Sequence, residues 1–193
     1  MHMILILGQR DGNATAFEVK INQSKNMKMT NIIQSISAVL VAGTLISTAS
    51  ALTTKEADAI LFMKQEEKMA RDVYRALHKK WGVVIFSNIA SSEQRHMDAL
   101  DRLITRYRLI DNTPRAAGKF TYPELQKLHN QLVIDGEASL QDALKVGVMI
   151  EKTDIKDLRD ALVKTRDQRV RKVFANLLRG SRQHLAAFRL WLQ

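Results

Sequence analysis

The chain contains no cysteine in 193 residues, only two prolines and eight glycines, and 6% aromatic residues. Without cysteine there is no disulfide, no thiolate metal site and no cysteine nucleophile, so a transition-metal site has to be built from histidine and carboxylates. Sheet proteins need frequent turn residues, and the scarcity of proline and glycine argues against one. No alternating strand pattern stands out after residue 52. Long uninterrupted apolar runs are also missing. The best, Ile32 to Ile46, is broken by Gln34, Ser35, Ser37, Gly43 and Thr44, and a membrane-spanning helix needs about 20 predominantly apolar residues.

What is present suits a globular helical domain with an appendage, at 46% hydrophobic and 26% charged. The formal charge of +10 and pI near 10.0 would suit a polyanion. The basic residues are scattered among acids, however, and only "RDQRVRK" (166–172) is a concentrated patch. A solvated helix face is the reading of that charge, and nucleic acid is not an expected partner.

Residues 27–51 have the order of a secretory signal peptide: a basic start at Lys28, the apolar stretch from Ile32, and small residues at Ala49 and Ala51 before Leu52. Residues 1–26 are then an upstream extension from a mis-assigned start. The mature domain spans 52–193, is periplasmic or secreted, and retains no stable membrane span after cleavage.

Four long helical patterns follow. The first runs from Thr54 to Lys80, with Thr53 or Thr54 as its cap and "WG" as its stop. The second begins after Ser87 and reaches Arg108. "DNTPRAAGKF" is a loop, Thr121 caps a shorter helix, and Gly136 ends it. Ser139 caps the third long helix, which runs to Thr165, and Asp167 caps the fourth. The expectation is an all-α four-helix bundle with a short extra helix between long helices two and three.

Each long helix interrupts its apolar stripe near the middle. Steps of three and four place Glu67 between Met63 and Ala70, Glu93 and His96 between Ile89 and Leu100, Glu151 and Asp154 between Gly147 and Leu158, and Ser181 and His184 between Leu177 and Phe188. Acids are almost never fully buried without a partner, and two neutral histidines cannot balance four carboxylates. A pair of divalent cations would. Glu93 and His96, at i and i+3, can offer a carboxylate and an imidazole to one ion. Glu67 and Glu151 could bridge two, and Asp154 with His184 would complete the second. Oxygen-rich ligation with one histidine per ion suits iron or manganese, and zinc can occupy such sites.

Alternatives stay open at several positions. Glu66 could exchange roles with Glu67, and Asp154 could cap a restarted helix at "DIKDL". Tyr74 reads as core packing, His78 as solvated, His129 as a boundary residue, and Arg71 as a partner for an unspecified acid.

The segments "EEKMARDVY", "FSNIASSEQRHMDAL" and "LLRGSRQHLAAF" resemble the metal-binding helices of ferritin-like proteins, particularly rubrerythrin-type ones, and more closely an uncharacterised prokaryotic ferritin-like domain of unknown function. The resemblance covers Leu52 to the C-terminus. It implies an up-down four-helix bundle around a carboxylate-bridged dimetal centre. Matched by position, Glu67 is the first-helix ligand, Glu93 with His96 the second-helix pair, Glu151 the third-helix ligand and His184 the fourth-helix histidine. Ser181 departs from the pattern, because a glutamate usually stands there, and Asp154 restores the count.

The resemblance further implies oxidation of ferrous iron or reduction of oxygen or peroxide. Whether the chain is an enzyme is left open, against a non-catalytic helical binding module or a metal-storage module, and so is assembly into a homo-oligomer.

Overall fold

The computed structural model describes residues 52–193, so the leader and upstream extension read from the sequence lie outside the described residues. Among the described residues there are five helices and no strand: α1 (Thr54–Trp81), α2 (Val84–Tyr107), α3 (Pro123–Glu137), α4 (Leu140–Lys164) and α5 (Gln168–Trp191). None is long and apolar enough to cross a membrane.

Local chemistry sets most of the ends. Thr53 and Glu56 form a reciprocal capping box on α1, and Gly82 closes it in the left-handed region at φ 69°. Ser139 and Asp167 cap α4 and α5 through their side chains. Three expected boundaries move. Helix α2 starts at Val84 without a side-chain cap, and Ser87 lies inside its first turn, donating to the Val84 carbonyl at 2.9 Å. Thr121 is not a cap: its hydroxyl and amide are taken by Gln65 of α1, at 2.5 and 2.8 Å. Gly136 does not end α3 but lies buried within it, where a Cβ would come 2.5 Å from Leu77 Cδ2. Glycine there lets α3 approach α1, and its carbonyl accepts the Trp81 indole N–H at 2.8 Å.

One end of the helical bundle is tied by a polar knot. Glu56 Oε1 accepts the amides of Arg166 and Asp167, at 2.6 and 2.9 Å, and Asp167 also accepts the Tyr107 hydroxyl at 2.8 Å. The start of α1, the end of α2 and the α4–α5 junction therefore meet. Arg171, from the basic patch, is spent here on the carbonyls of Leu162 and Thr165.

This knot fixes the directions. Helix α1 packs on α2 and α4, and α5 packs on α4 and α2; α1 and α5 run one way, α2 and α4 the other. The long helices do not simply alternate along the chain, because residues 108–139 return the length of the bundle before α4 begins. That return covers the outer face of α1. Every residue from Met63 to Tyr74 is consequently buried, charged ones included.

The apolar core comes in two blocks. One holds Ile60, Met63, Leu100, Leu103, Leu158, Val170 and Phe174 near the knot. The other holds Val73, Tyr74, Leu77, Phe86, Ile89, Leu144 and Phe188 toward the far end. Between them lies a belt of buried polar side chains.

Candidate metal centre

The belt takes one turn from each long helix: Glu67 from α1, Glu93 and His96 from α2, Glu151 and Asp154 from α4, Ser181 and His184 from α5. All are buried. Helical spacing is the cause, since each residue replaces an apolar one on the inward stripe and is carried to the axis by its neighbours.

Glu93 is the centre of the arrangement. Its Oε2 lies 2.8 Å from His96 Nδ1 and its Oε1 2.9 Å from His184 Nδ1. His96 Nδ1 is also 3.0 Å from Glu67 Oε2, and His184 Nδ1 is 3.5 Å from Glu151 Oε2. Two groups result, Glu67–Glu93–His96 and Glu93–Glu151–His184, each with one donor atom per residue and all such atoms within 4.8 Å of one another. The imidazoles stack at 5.5 Å and 27°.

Several neighbours hold these groups in place. Tyr74 donates its hydroxyl to Glu151 Oε1 at 2.7 Å, so this core ring, its hydroxyl satisfied, also orients a carboxylate. Ser181 donates to Asp154 and lies 3.0 Å from the Leu177 carbonyl. Asp154 belongs to the belt but to neither three-residue group. Gly180 was not singled out from the sequence, and a Cβ there would come 2.5 Å from His96 Nε2. A glycine in the middle of a helix was the available signal, because it costs helix stability unless something needs the space.

Donor atoms crowd here without pairing. Among the described residues, Glu67 Oε1, Asp154 Oδ1 and Glu66 Oε2 have no hydrogen-bond partner, and His184 Nδ1 is close to Glu93 but out of line for one. Buried polar groups are normally paired, and oxygens and nitrogens that converge without pairing are the chemistry of a cation's ligand set. Carboxylates and histidines are donor types that divalent cations accept, and Glu93 belongs to both three-residue groups.

The titration behaviour follows from the same crowding. Burial raises the Glu67 carboxyl well above the usual range, His96 pulling down and Glu93 pushing up. Burial, then Glu67 and Glu151, do the same to Asp154. Burial and the Glu93 charge push Glu151 up to about 7 against the pull of His184 and Tyr74. Glu93 goes the other way: burial opposes its charge, but His184 and His96 hold it well below the usual range. For the imidazoles burial again opposes charge, yet Glu67 and Glu93 raise His96 to about 11, and Glu151 and Glu93 raise His184 to about 9.

The other sequence candidates lie elsewhere. His78 Nδ1 is 3.1 Å from the Val83 carbonyl, half-buried rather than solvated. His129 packs on Phe120. Arg71 bonds Asp72 and Gln94.

Comparison with known proteins supplies the family. Residues 56–192 match the model described as "Uncharacterized protein domain (DUF2202)". The chain belongs to this family. The DUF2202 region is 43% identical over 138 residues to the uncharacterized protein MJ0754 of Methanocaldococcus jannaschii, a match covering 71% of this chain and 75% of that protein. The crystal structure of hypothetical protein MJ0754 resembles this one with a TM-score of 0.71 at 42% identity, over 72% of this chain and 81% of that one.

Proposed function

We propose that the belt binds two divalent cations, iron first and manganese or zinc next, in a ferritin-like bundle. The observation that carries this reading is Glu93, whose two oxygens face two histidines from different helices, each histidine backed by a further carboxylate. The long return between α2 and α4 agrees with it, since ferritin-like bundles have one such crossover. Glu67, Glu93 and His96 hold one ion; Glu93, Glu151 and His184 hold the other, with Asp154 beside them. When bound, an iron pair would supply the redox chemistry: ferrous ions would be oxidised as the electrons they lose reduce oxygen or peroxide.

The chain's own contribution is positional. Tyr74 fixes Glu151, Ser181 fixes Asp154, and Gly180 gives His96 room for its ring. The two apolar blocks keep bulk water from the belt, which strengthens every charge interaction inside it. The protons carried by the two imidazoles in the metal-free protein leave as cations enter. With the leader read at 27–51, the place of action is the periplasm or the outside of the cell.

The test is to replace Glu93 and His96 with leucine, purify both forms after iron or manganese loading, and measure metal together with far-UV circular dichroism. Loss of metal with retained helicity is expected. Unchanged metal content rejects these ligands.

A further inference from the structure

Away from the belt, the loop that follows α2 bridges the seam between α1 and α2 and leaves a cavity of ≈ 500 Å³ there. Its α1 wall is Lys64, Lys68 and Arg71, on one helix face in steps of four and three. Asp101 comes from α2, and Asp111, Thr113 and Arg115 come from the loop. Lys64 bridges Asp101 and Asp111, and Asp111 Oδ1 also accepts the Thr113 amide at 2.9 Å. Lys68 is spent on Asp72 and on the carbonyls of Ala116 and Lys119. The loop therefore runs along α1 from the level of Lys64, at Asp111, to the level of Lys68, at Ala116. Thr113 and Arg115 fall between these anchors.

Charge is divided along the cavity. Both of its acids are held at the Lys64 end, and Arg71 stands about two helical turns, roughly 10 Å, further along α1. The Arg71 guanidinium, in a residue only 8% exposed, gives three N–H groups to Asp72 and Gln94. An arginine has five, so two are left to donate. Arg115 is exposed at the rim, and no acid among the described residues pairs with it. Thr113 Oγ1 is buried without a hydrogen-bond partner among the described residues, whereas buried hydroxyls normally have one. Unspent guanidinium donors, an unpaired positive charge and an orphaned hydroxyl lining one cavity are the complement of an oxyanion.

We propose that this cavity binds a small molecule through its phosphate or carboxylate group, held by Arg71, Arg115 and Thr113. The volume is in the range of small-molecule pockets. Asp72 and Gln94 already fix the Arg71 fork, so little side-chain freedom is lost when an anion docks. Lys64 offsets one of the two carboxylates at the far end, where the uncharged or cationic part of the ligand belongs. The site stands whether or not the belt holds metal.

The experiment uses the full purified chain, freed of phosphate by dialysis and held at constant ionic strength in chloride. It is titrated calorimetrically with inorganic phosphate and, separately, with malonate. The wild type is expected to bind a single anion per chain, and the tighter of the two probes names the acidic group of the ligand. Arg115→Gln removes an exposed charge without breaking a bond and should weaken binding about tenfold. Thr113→Val should weaken it by about as much, while Thr113→Ser keeps the hydroxyl and should bind as the wild type does. Lys152→Gln makes the same change of charge at an exposed position on α4 and should leave binding unchanged. A wild type that binds neither probe overturns the site, as does wild-type affinity in the Arg115→Gln/Thr113→Val double variant. A loss in Lys152→Gln as large as that in Arg115→Gln would reduce the effect to net charge and overturn it equally.

Discussion

Glu67 and Lys68 are neighbours on α1, and both are almost wholly buried, yet the networks they enter obey opposite rules. On the outer face, Lys68 Nζ spends its three donors on Asp72 Oδ2 and the carbonyls of Ala116 and Lys119, at 2.7, 2.9 and 3.1 Å. Asp72 also accepts the Gly118 amide and two bonds from Arg71. Burial alone would raise its carboxyl, but Lys68, the Gly118 amide and Arg71 hold it below the usual range. On the inner face, burial wins, and Glu67 and Asp154 are pushed up instead. The outer network is complete within the chain and pins the return segment to α1. The inner one is left short of positive charge, which is how a protein looks where it gives up stability to hold something else.

This contrast can be broken from either side. The largest effect is expected from Lys68→Met, which leaves two loop carbonyls and part of Asp72 without a donor. Denaturant unfolding should show a loss of about 3–5 kcal/mol, while metal content is unchanged because no belt residue is touched. Gly180→Ala is next: the added Cβ meets His96, so the metal-bound protein should lose about 1–3 kcal/mol and metal affinity should fall together, as calorimetry would read. Gly147→Ala controls for simple crowding. Its Cβ meets the Phe188 ring at 2.6 Å, so it should cost stability without the same change in metal affinity.

The smallest effect has the opposite sign. In metal-free protein, Glu67→Gln removes an unbalanced buried acid and should raise stability by about 1 kcal/mol, whereas in metal-loaded protein the same change should weaken binding. A loss of stability in the metal-free form would mean that the inner network, like the outer, is already complete.

The pH dependence sharpens the same point. Glu151, His184 and His96 all bind their protons more tightly folded than unfolded, so their contribution is fully present below the unfolded values. It is lost as pH rises through about 7, about 9 and about 11 in turn. Metal-free protein should therefore melt at progressively lower temperature as pH rises above neutrality, while metal affinity rises over the same range because fewer protons must be displaced. At the knot, burial disfavours the Glu56 charge, but the amides of Asp167, Thr53 and Arg166 hold its carboxyl at about 2. Its stabilising share is present above the unfolded value near 4.5 and goes as pH falls toward 2, with or without metal.

The helices were legible because apolar residues at steps of three and four need no tertiary information, and Thr53, Ser139 and Asp167 announce their caps. The belt was visible for the converse reason: Glu67, Glu93, His96, Glu151, Asp154 and His184 break those stripes at one level. What the stripes could not disclose was anything set by the return segment. Lys64, Gln65, Lys68 and Asp72 lie on what reads as a solvated face, and only the chain folded over it makes them interior. Thr121 looked like a cap because its partner, Gln65, is distant in sequence. Gly136 looked like a stop because a glycine that admits Leu77 and one that ends a helix are written alike. Glu66 and Glu67 are adjacent acids, both buried, and that only Glu67 joins a group with Glu93 and His96 depends on how α1 turns against α2.

The most direct test of the central claim is elemental analysis of the natively expressed protein, paired with its visible spectrum. The account predicts about two iron or manganese ions per chain, lost in Glu93→Leu/His96→Leu protein that keeps its helicity. A well-folded wild-type protein that holds no stoichiometric iron, manganese or zinc after loading would contradict it.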